Sequence, residues 1–281
     1  MFALTLLIIL LRTFLFIQAV DEGSKKDEGA VYYSIFLPSF YDSNGDGIGD
    51  LNGAALRLTY LKDLGVNHII LSAVYQTYRL NETAIYNIDS INPALGNLKA
   101  LQDFITAAHD LKMKVLLTID PNCVSIHSHW FQEGAAHHQP YYTYFNWSDN
   151  PVRTQAPGWF AIKNSDYVEK YHSSEGSETA ELWMDNDAVK YDLITGFQAL
   201  LKNSKADGYN FINTKKAFTN MQSSDPESWW TLVNNYLHRT CPGSVIISDS
   251  YMNPPGKGYN FFDAIIDSSF SKILIALFVC S

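Results

Sequence analysis

Basic charge is scarce in this chain and nowhere concentrated. Twenty Lys and Arg stand against twenty-nine Asp and Glu in 281 residues, a net charge of −9. Nucleic acid needs a basic stripe to meet its phosphates, so it is not an expected partner. The acidic balance mainly implies solubility. Cysteine is scarcer still. Cys123, Cys241 and Cys280 are too few, and odd in number, for a disulfide scaffold. One Cys123–Cys241 bridge and three buried thiols both remain open. No Gly-rich phosphate fingerprint follows the first strand-like run, which counts against a dinucleotide-binding sheet. No internal repeat or long low-complexity tract occurs.

Apolar material is plentiful, at 47% of residues, enough to bury a sizeable core in one large domain or two smaller ones. Residues 1–20 (MFALTLLIILLRTFLFIQAV) are apolar and are followed by polar DEGSKKDEG. They read as a secretory signal cleaved after Ala19, giving a secreted, extracellular protein. Two features depart from that pattern: no basic segment leads in, and Arg12 interrupts the run. The competing reading is an uncleaved anchor, the one route to a membrane partner, but Arg12 leaves the run short for a full span. Two glycosylation sequons fit the secretory route, Asn81-Glu82-Thr83 and Asn146-Trp147-Ser148.

Short β-rich runs alternate with longer helical stretches. Strands are expected at 32–38, 67–74, 114–120, 208–213 and 244–250, with a sixth at 261–267. Helices are expected at 54–63, 98–111, 187–203 and 225–239, the last opened by Asp225-Pro226-Glu227. KVLLTID (114–120) is a near-continuous apolar run, suited to a parallel strand buried on both faces. Residues 123–183 are rich in His, Tyr, Trp, Gly and Ser without a sustained period, and read as a loop-rich insertion. Repeated β-α units leave two architectures, a barrel and a doubly wound sheet.

Residues 42–50 read Asp-Ser-Asn-Gly-Asp-Gly-Ile-Gly-Asp. Side-chain oxygens at Asp42, Asn44, Asp46 and Asp50, with the Ile48 carbonyl, can wrap a hard cation such as Ca²⁺. Three carboxylates this close repel one another unless a cation sits among them. The pattern is like the first half of an EF-hand loop, but Gly53 stands where the bidentate Glu belongs, and a strand precedes it. The plainer reading is a solvated Asp/Asn/Gly turn.

YSIFLPSFYDSNGDGIGDLNG (33–53) resembles the opening of α-glucosidases and maltases of glycoside hydrolase family 13. The transporter heavy-chain ectodomains belong to that family too. The resemblance continues through residues 58–75, 86–117, 120–131, 181–193 and 206–213, and covers roughly 31–270. It implies an α/β fold of the (β/α)₈ TIM-barrel type. The chain holds about the first five to six strands of that barrel, with an inserted domain after the third strand. The implied divisions are a signal at 1–19, a first barrel part at 20–122, the insertion at 123–183 and barrel continuation at 184–281. The resemblance also makes 42–50 the family's structural Ca²⁺ loop, with every ligand position matched.

Retaining glycosidases need two carboxyl groups about 5 Å apart, which a barrel places at the C-terminal ends of its strands. The resemblance locates these positions one by one. After the second strand, the family's Gly-Tyr-Asp is Ile85-Tyr86-Asn87, so the aromatic platform survives and the charge does not. At the third strand, Pro121 and Asn122 match, while the leading Asp is Thr118 and the substrate-binding His is Cys123. Asp120 is read as out of phase with the lost Asp, its side chain on the other face. At the fourth strand, Gly208-Tyr209-Asn210-Phe211-Ile212 puts Asn210 at the Arg and Ile212 at the nucleophile. Sliding by one residue gives Asn213. Neither an alkyl chain nor an amide forms the glycosyl-enzyme ester. At the fifth strand the acid/base Glu falls on Asp249, one methylene shorter, and a shift near 1 Å costs about a hundredfold. No Asn-His-Asp motif is present for the third family carboxylate.

Six strands leave two sheet edges open, and KILIALFVCS (272–281) is strongly apolar. The expectation is a truncated isoform or an incomplete gene model, with a helix over 272–281 capping the open end as the competing reading. The expected function is that of a secreted maltase-like protein without intact catalytic residues. Oligosaccharide is the candidate partner, weakly held by Tyr86, Asn87 and Asn122. Two alternatives stand beside it: an active α-1,4-glucosidase, and a non-catalytic interaction module like the transporter heavy-chain ectodomains.

Overall fold

The computed structural model describes residues 29–72, 74–162, 168–214, 216, 226–248 and 262–265. In chain order the first part contains β1 (Tyr32–Ile35), α1 (Leu51–Ala55), α2 (Leu58–Asp63), β2 (His68–Leu71), β3 (Tyr75–Gln76), β4 (Asn87–Ile91), α3 (Leu98–Asp110) and β5 (Lys114–Ile119). There follow β6 (Cys123–Ser125), α4 (His129–Ala135), β7 (Trp147–Ser148), β8 (Trp159–Ala161), β9 (Lys170–His172) and β10 (Thr179–Glu181). The last part contains α5 (Asp187–Ser204), β11 (Gly208–Phe211), α6 (Pro226–Thr240), β12 (Val245–Ser248) and β13 (Ala264–Ile265). The signal-like 1–19, the Asp225 cap, the acid/base position Asp249, Cys280 and the apolar 272–281 lie outside the described residues.

One six-stranded sheet runs in the order β1-β2-β5-β11-β12-β13, every pairing parallel. A doubly wound sheet reverses direction about its first strand. Here each main-sheet strand lies beside its predecessor in the chain, which is the winding of a barrel wall. The sixth expected strand is present as the two residues of β13, paired to β12.

The two faces of the wall differ in chemistry because side chains alternate along a strand. Ile35, Ile69, Leu71, Val115, Leu117, Ile119, Tyr209, Phe211 and Ile246 join the main core with the helices. Ile70, Leu116 and Ile247 form a separate small cluster with Tyr32 and Val245. Beside that inner cluster the wall turns polar: Asn210 pairs in register with Thr118, and its Nδ2 donates to the Thr118 hydroxyl at 3.3 Å. Gly208 opens β11 against β12, and a Cβ there would meet the Val245 carbonyl oxygen at 1.8 Å.

Helix starts follow capping chemistry. Asp50, Asn97, Ser128 and Asn186 each accept a backbone N–H of the first turn of α1, α3, α4 and α5. The single helix expected at 54–63 is two, because Leu56 and Arg57 break it between α1 and α2.

The span read as a loop-rich insertion has its own small architecture. β6 pairs antiparallel with β10, which brings the two ends of the span together. Between them β7, β9 and β8 form a three-stranded antiparallel sheet. Phe131 anchors its core, with ring centroids of Phe145, Trp147 and Tyr171 at 5.3, 5.7 and 4.9 Å.

Candidate functional site

The Asp42–Asp50 loop leaves the wall after β1 and delivers the chain to α1. Its carboxylates organise the backbone. Asp42 accepts N–H bonds from Asn44, Gly45 and Gly47 at 3.0, 2.7 and 2.8 Å. Asp46 accepts from Ile48 N–H at 2.8 Å and from the Asn44 amide at 3.0 Å. Gly45 and Gly47 sit at φ +82° and +89°, which side chains rarely adopt. The Gly47 bond, then the Gly45 bond, hold the Asp42 carboxyl below its usual range. Asp50 is different. It is buried, accepts from Gly53 N–H, Ser43 N–H and the Ser43 hydroxyl at 2.7, 3.0 and 2.8 Å, and caps α1. Burial pushes its carboxyl up, and these bonds together outweigh that and hold it low. The exposed oxygens of Asp42, Asn44 and Asp46, with the Ile48 carbonyl, suit a hard cation in donor type. Asp50 is already engaged in holding the loop to the helix.

At the C-terminal ends of β5 and β11 lies a second polar cluster, buried at Asp120, Asn122 and Cys123 and exposed at Glu175. Asp120 is fully enclosed. Its Oδ2 accepts from Asn213 Nδ2 at 2.6 Å and from the Thr83 hydroxyl at 3.4 Å. Its Oδ1 accepts from Asn122 Nδ2 at 2.7 Å and Asn122 N–H at 3.1 Å. Asn122 Nδ2 also donates to the Asn213 carbonyl at 3.0 Å. Asn213 takes φ +56°, so the chain turns sharply as it leaves β11. Burial pushes the Asp120 carboxyl up, against the Asn213 and Asn122 bonds that lower it. The Cys123 thiol, also buried, donates to Glu175 Oε2 at 3.4 Å, and Lys216 pairs with the same carboxylate. Burial raises the thiol well above its ordinary range. Glu175 arrives from the turn between β9 and β10, so the inserted span closes over the barrel pole.

Several expectations change here. Asp120 does not face away: it and Thr118 are two residues apart and share a face in extended chain, and its carboxylate lies at the pole among Asn122, Asn213 and Thr83. The Cys123–Cys241 bridge is not formed. Cys123 is a buried thiol at the pole, and Cys241 is a free, half-buried thiol ahead of β12. The three expected sugar-binding residues separate. Tyr86 and Asn87 line a cavity of about 430 Å³ with Asp89, Ser128, His129 and Trp130, while Asn122 belongs to the Asp120 cluster. Ile212 follows β11, its N–H donating to the Ile119 carbonyl at 3.0 Å. Asn81 is exposed and Asn146 is half-buried, accepting from Arg153. Glu175, Lys216 and Trp130 were not singled out from the sequence, because their contacts join segments far apart in the chain.

The family model "Alpha amylase, catalytic domain" matches residues 34–239. Alpha-amylase 3 of Dictyoglomus thermophilum is 26% identical over 248 residues, covering 88% of this chain and 48% of that protein. The α-glucosidase of Apis mellifera is 33% identical over 150 residues, covering 52% of this chain and 26% of that one. Among solved structures, a family GH13_31 enzyme superposes with a TM-score of 0.74 at 19% identity, over 85% of this chain and 51% of that one. The chain therefore spans at most about half the length of these relatives.

Proposed function

Because the chain belongs to the α-amylase catalytic-domain family of glycoside hydrolases, we propose that it is a maltase-like protein of carbohydrate metabolism that has lost glycosidase chemistry. The observation that carries this reading is the pole. Where the family nucleophile belongs stands Ile212, and the residue after it, Asn213, donates its amide to Asp120. An alkyl chain and an amide cannot attack an anomeric carbon. Asp120 is no substitute, because it is fully buried and holds four hydrogen bonds. Without a nucleophile most of a rate enhancement of many orders of magnitude disappears.

The test is glucose release from maltose or a nitrophenyl α-glucoside by the full chain. No turnover above buffer is the expected result. Robust turnover that vanishes in Asp249→Ala overturns the proposal.

Carbohydrate contact, in this reading, rests on the Tyr86 cavity, whose Tyr86 and Trp130 rings and Asp89 carboxylate suit the apolar face and hydroxyls of a sugar. The proposal extends to secretion through residues 1–19, glycans at Asn81 and Asn146, and the division at 123–183. Asn81 is supported by exposure and the division by the β6–β10 pairing that closes it. It also extends to a structural Ca²⁺ held by Asp42, Asn44, Asp46 and the Ile48 carbonyl beside Asp50. The ion would neutralise the repulsion of those carboxylates.

A further inference from the structure

We propose that Asp120, Cys123 and Glu175 form a binding site for a thiophilic divalent cation of the zinc class. One ligand atom from each residue lies within 4.8 Å of the other two. They come from two segments: Asp120 and Cys123 bracket the short connection from β5 to β6, and Glu175 lies between β9 and β10. Cys123 Sγ and Glu175 Oε2 are 3.4 Å apart. Tetrahedral zinc, with bonds of about 2.3 Å to sulfur and about 2.0 Å to oxygen, sets such a pair about 3.5 Å apart. The donor set also selects the metal. A thiolate among carboxylates favours zinc-like ions and disfavours Ca²⁺ and Mg²⁺, which prefer oxygen alone.

A separate observation points the same way. Asn122 is 1% exposed, and its Nδ2–H rests on Asp120 Oδ1, so its carboxamide sits against the ligands. The oxygen of that carboxamide is buried and has no hydrogen-bond partner. A buried acceptor without a donor is costly, and a cation or a cation-bound water at its side satisfies it. Asp120 is meanwhile oriented from behind by Asn213 Nδ2 at 2.6 Å, the kind of outer support that metal ligands require.

Lys216 opposes the cation. Its ammonium pairs with Glu175 and occupies charge that the ion would claim. Binding therefore moves Lys216 off Glu175 and releases the Cys123 thiol proton to solvent, leaving the thiolate as ligand. The site shares no residue with the Asp42–Asp50 loop, and its existence does not depend on whether glycosidase chemistry has been lost.

The experiment titrates the full-length protein with Co²⁺, whose thiolate complexes absorb in the near ultraviolet. The expected result is a thiolate-to-cobalt band that saturates at one equivalent, is erased by Zn²⁺ and persists in excess Ca²⁺. Cys123→Ser should abolish the band, and the double variant Cys241→Ser/Cys280→Ser should keep it. Glu175→Gln should weaken binding by about tenfold or more. Lys216→Gln, which removes only the competing ammonium, should tighten it. No band in the native protein overturns the proposal, as does a band that survives Cys123→Ser. Should Cys123→Ser fail to fold, the Lys216→Gln titration decides: unchanged or weaker cobalt affinity overturns the proposal.

Discussion

The Asp42–Asp50 loop and the Asp120 pole both crowd carboxylates and amides into a few residues, yet they manage the charge in opposite ways. In the loop Asp46 is exposed, Asp42 half-buried and Asp50 buried, and backbone N–H groups of Asn44, Gly45 and Gly47 converge on Asp42. Its carboxyl is accordingly held low. At the pole Asp120 itself is fully buried, and burial raises its carboxyl although four hydrogen bonds reach it. Hydrogen bonds favour the anion in both places: at Asp42 and Asp50 they prevail, and at Asp120 burial outweighs them. On the proposed function, the loop keeps the family's ligand positions and the pole has lost its catalytic ones; at the pole Glu175 pairs with both Cys123 and Lys216.

The strongest way to break this comparison is Asp120→Ala. It strands Asn213 Nδ2 and the Asn122 N–H groups in a buried site. A buried donor left without its acceptor costs about 1–3 kcal/mol, to be read from urea unfolding midpoints. A cost below about 1 kcal/mol would mean that water reaches the pole and that the contrast with the loop is false.

Calcium addresses the loop alone. At about a hundred times its dissociation constant, an ion bound only to the folded state stabilises it by about 2.7 kcal/mol. The thermal midpoint should rise with Ca²⁺ and fall with a chelator, and Asp46→Ala should erase the difference. No shift at millimolar Ca²⁺ would leave the loop a hydrogen-bonded turn. Asp50→Ala separates the loop's two roles. In chelator it should still cost about 1–2 kcal/mol through the lost cap on α1. Asp42→Ala in chelator has no helix to uncap and should cost less in the same unfolding measurement.

Much of the wall was legible in the sequence. The run KVLLTID is nearly continuous in apolar residues because both faces are covered, and β5 is buried along nearly its whole length. The expected strands overrun the observed ones: β1 ends at Ile35 and the chain enters a 3-10 turn at Leu37–Ser39, and β2 ends at Leu71. The loop was readable because its ligands are neighbours in sequence. The pole was not, for the opposite reason. Glu175 reaches Cys123 across 52 residues and Lys216 across 41, so no spacing rule links them. The aromatic core of the insertion is equally non-local: Phe131 on α4 meets Tyr171 on β9 across 40 residues. Asn210 and Ile212 could be placed against the family motif from the sequence, but the Asp120 cluster beside them is visible only in the folded chain.

The smallest predicted effect uses a charge pair that belongs to neither region and therefore tests whether their pH responses can be assigned. His238 Nε2 lies 3.4 Å from Asp263 Oδ2, which also accepts the Ile246 N–H at 2.7 Å. The hydrogen bond to Asp263 raises the imidazole above its ordinary 6.5, against partial burial that lowers it. The folded chain thus holds this proton more tightly than the unfolded chain. Its stabilisation is fully present below about pH 6.5 and is lost as pH rises through the folded value. The pair is about one-third exposed, so solvent screening limits the change to less than about 1 kcal/mol. Unfolding measured from pH 6 upward should show this decline, and His238→Gln should flatten it. Asp42 and Asp50, held low, act at the other end: their contribution is present above the ordinary 3.8 and is lost as pH falls toward the folded values. An acid limb that survives in Asp42→Asn/Asp50→Asn would have to come from elsewhere. Asp120 cannot supply it, because a carboxyl raised by burial favours the folded state more as the solution becomes acidic.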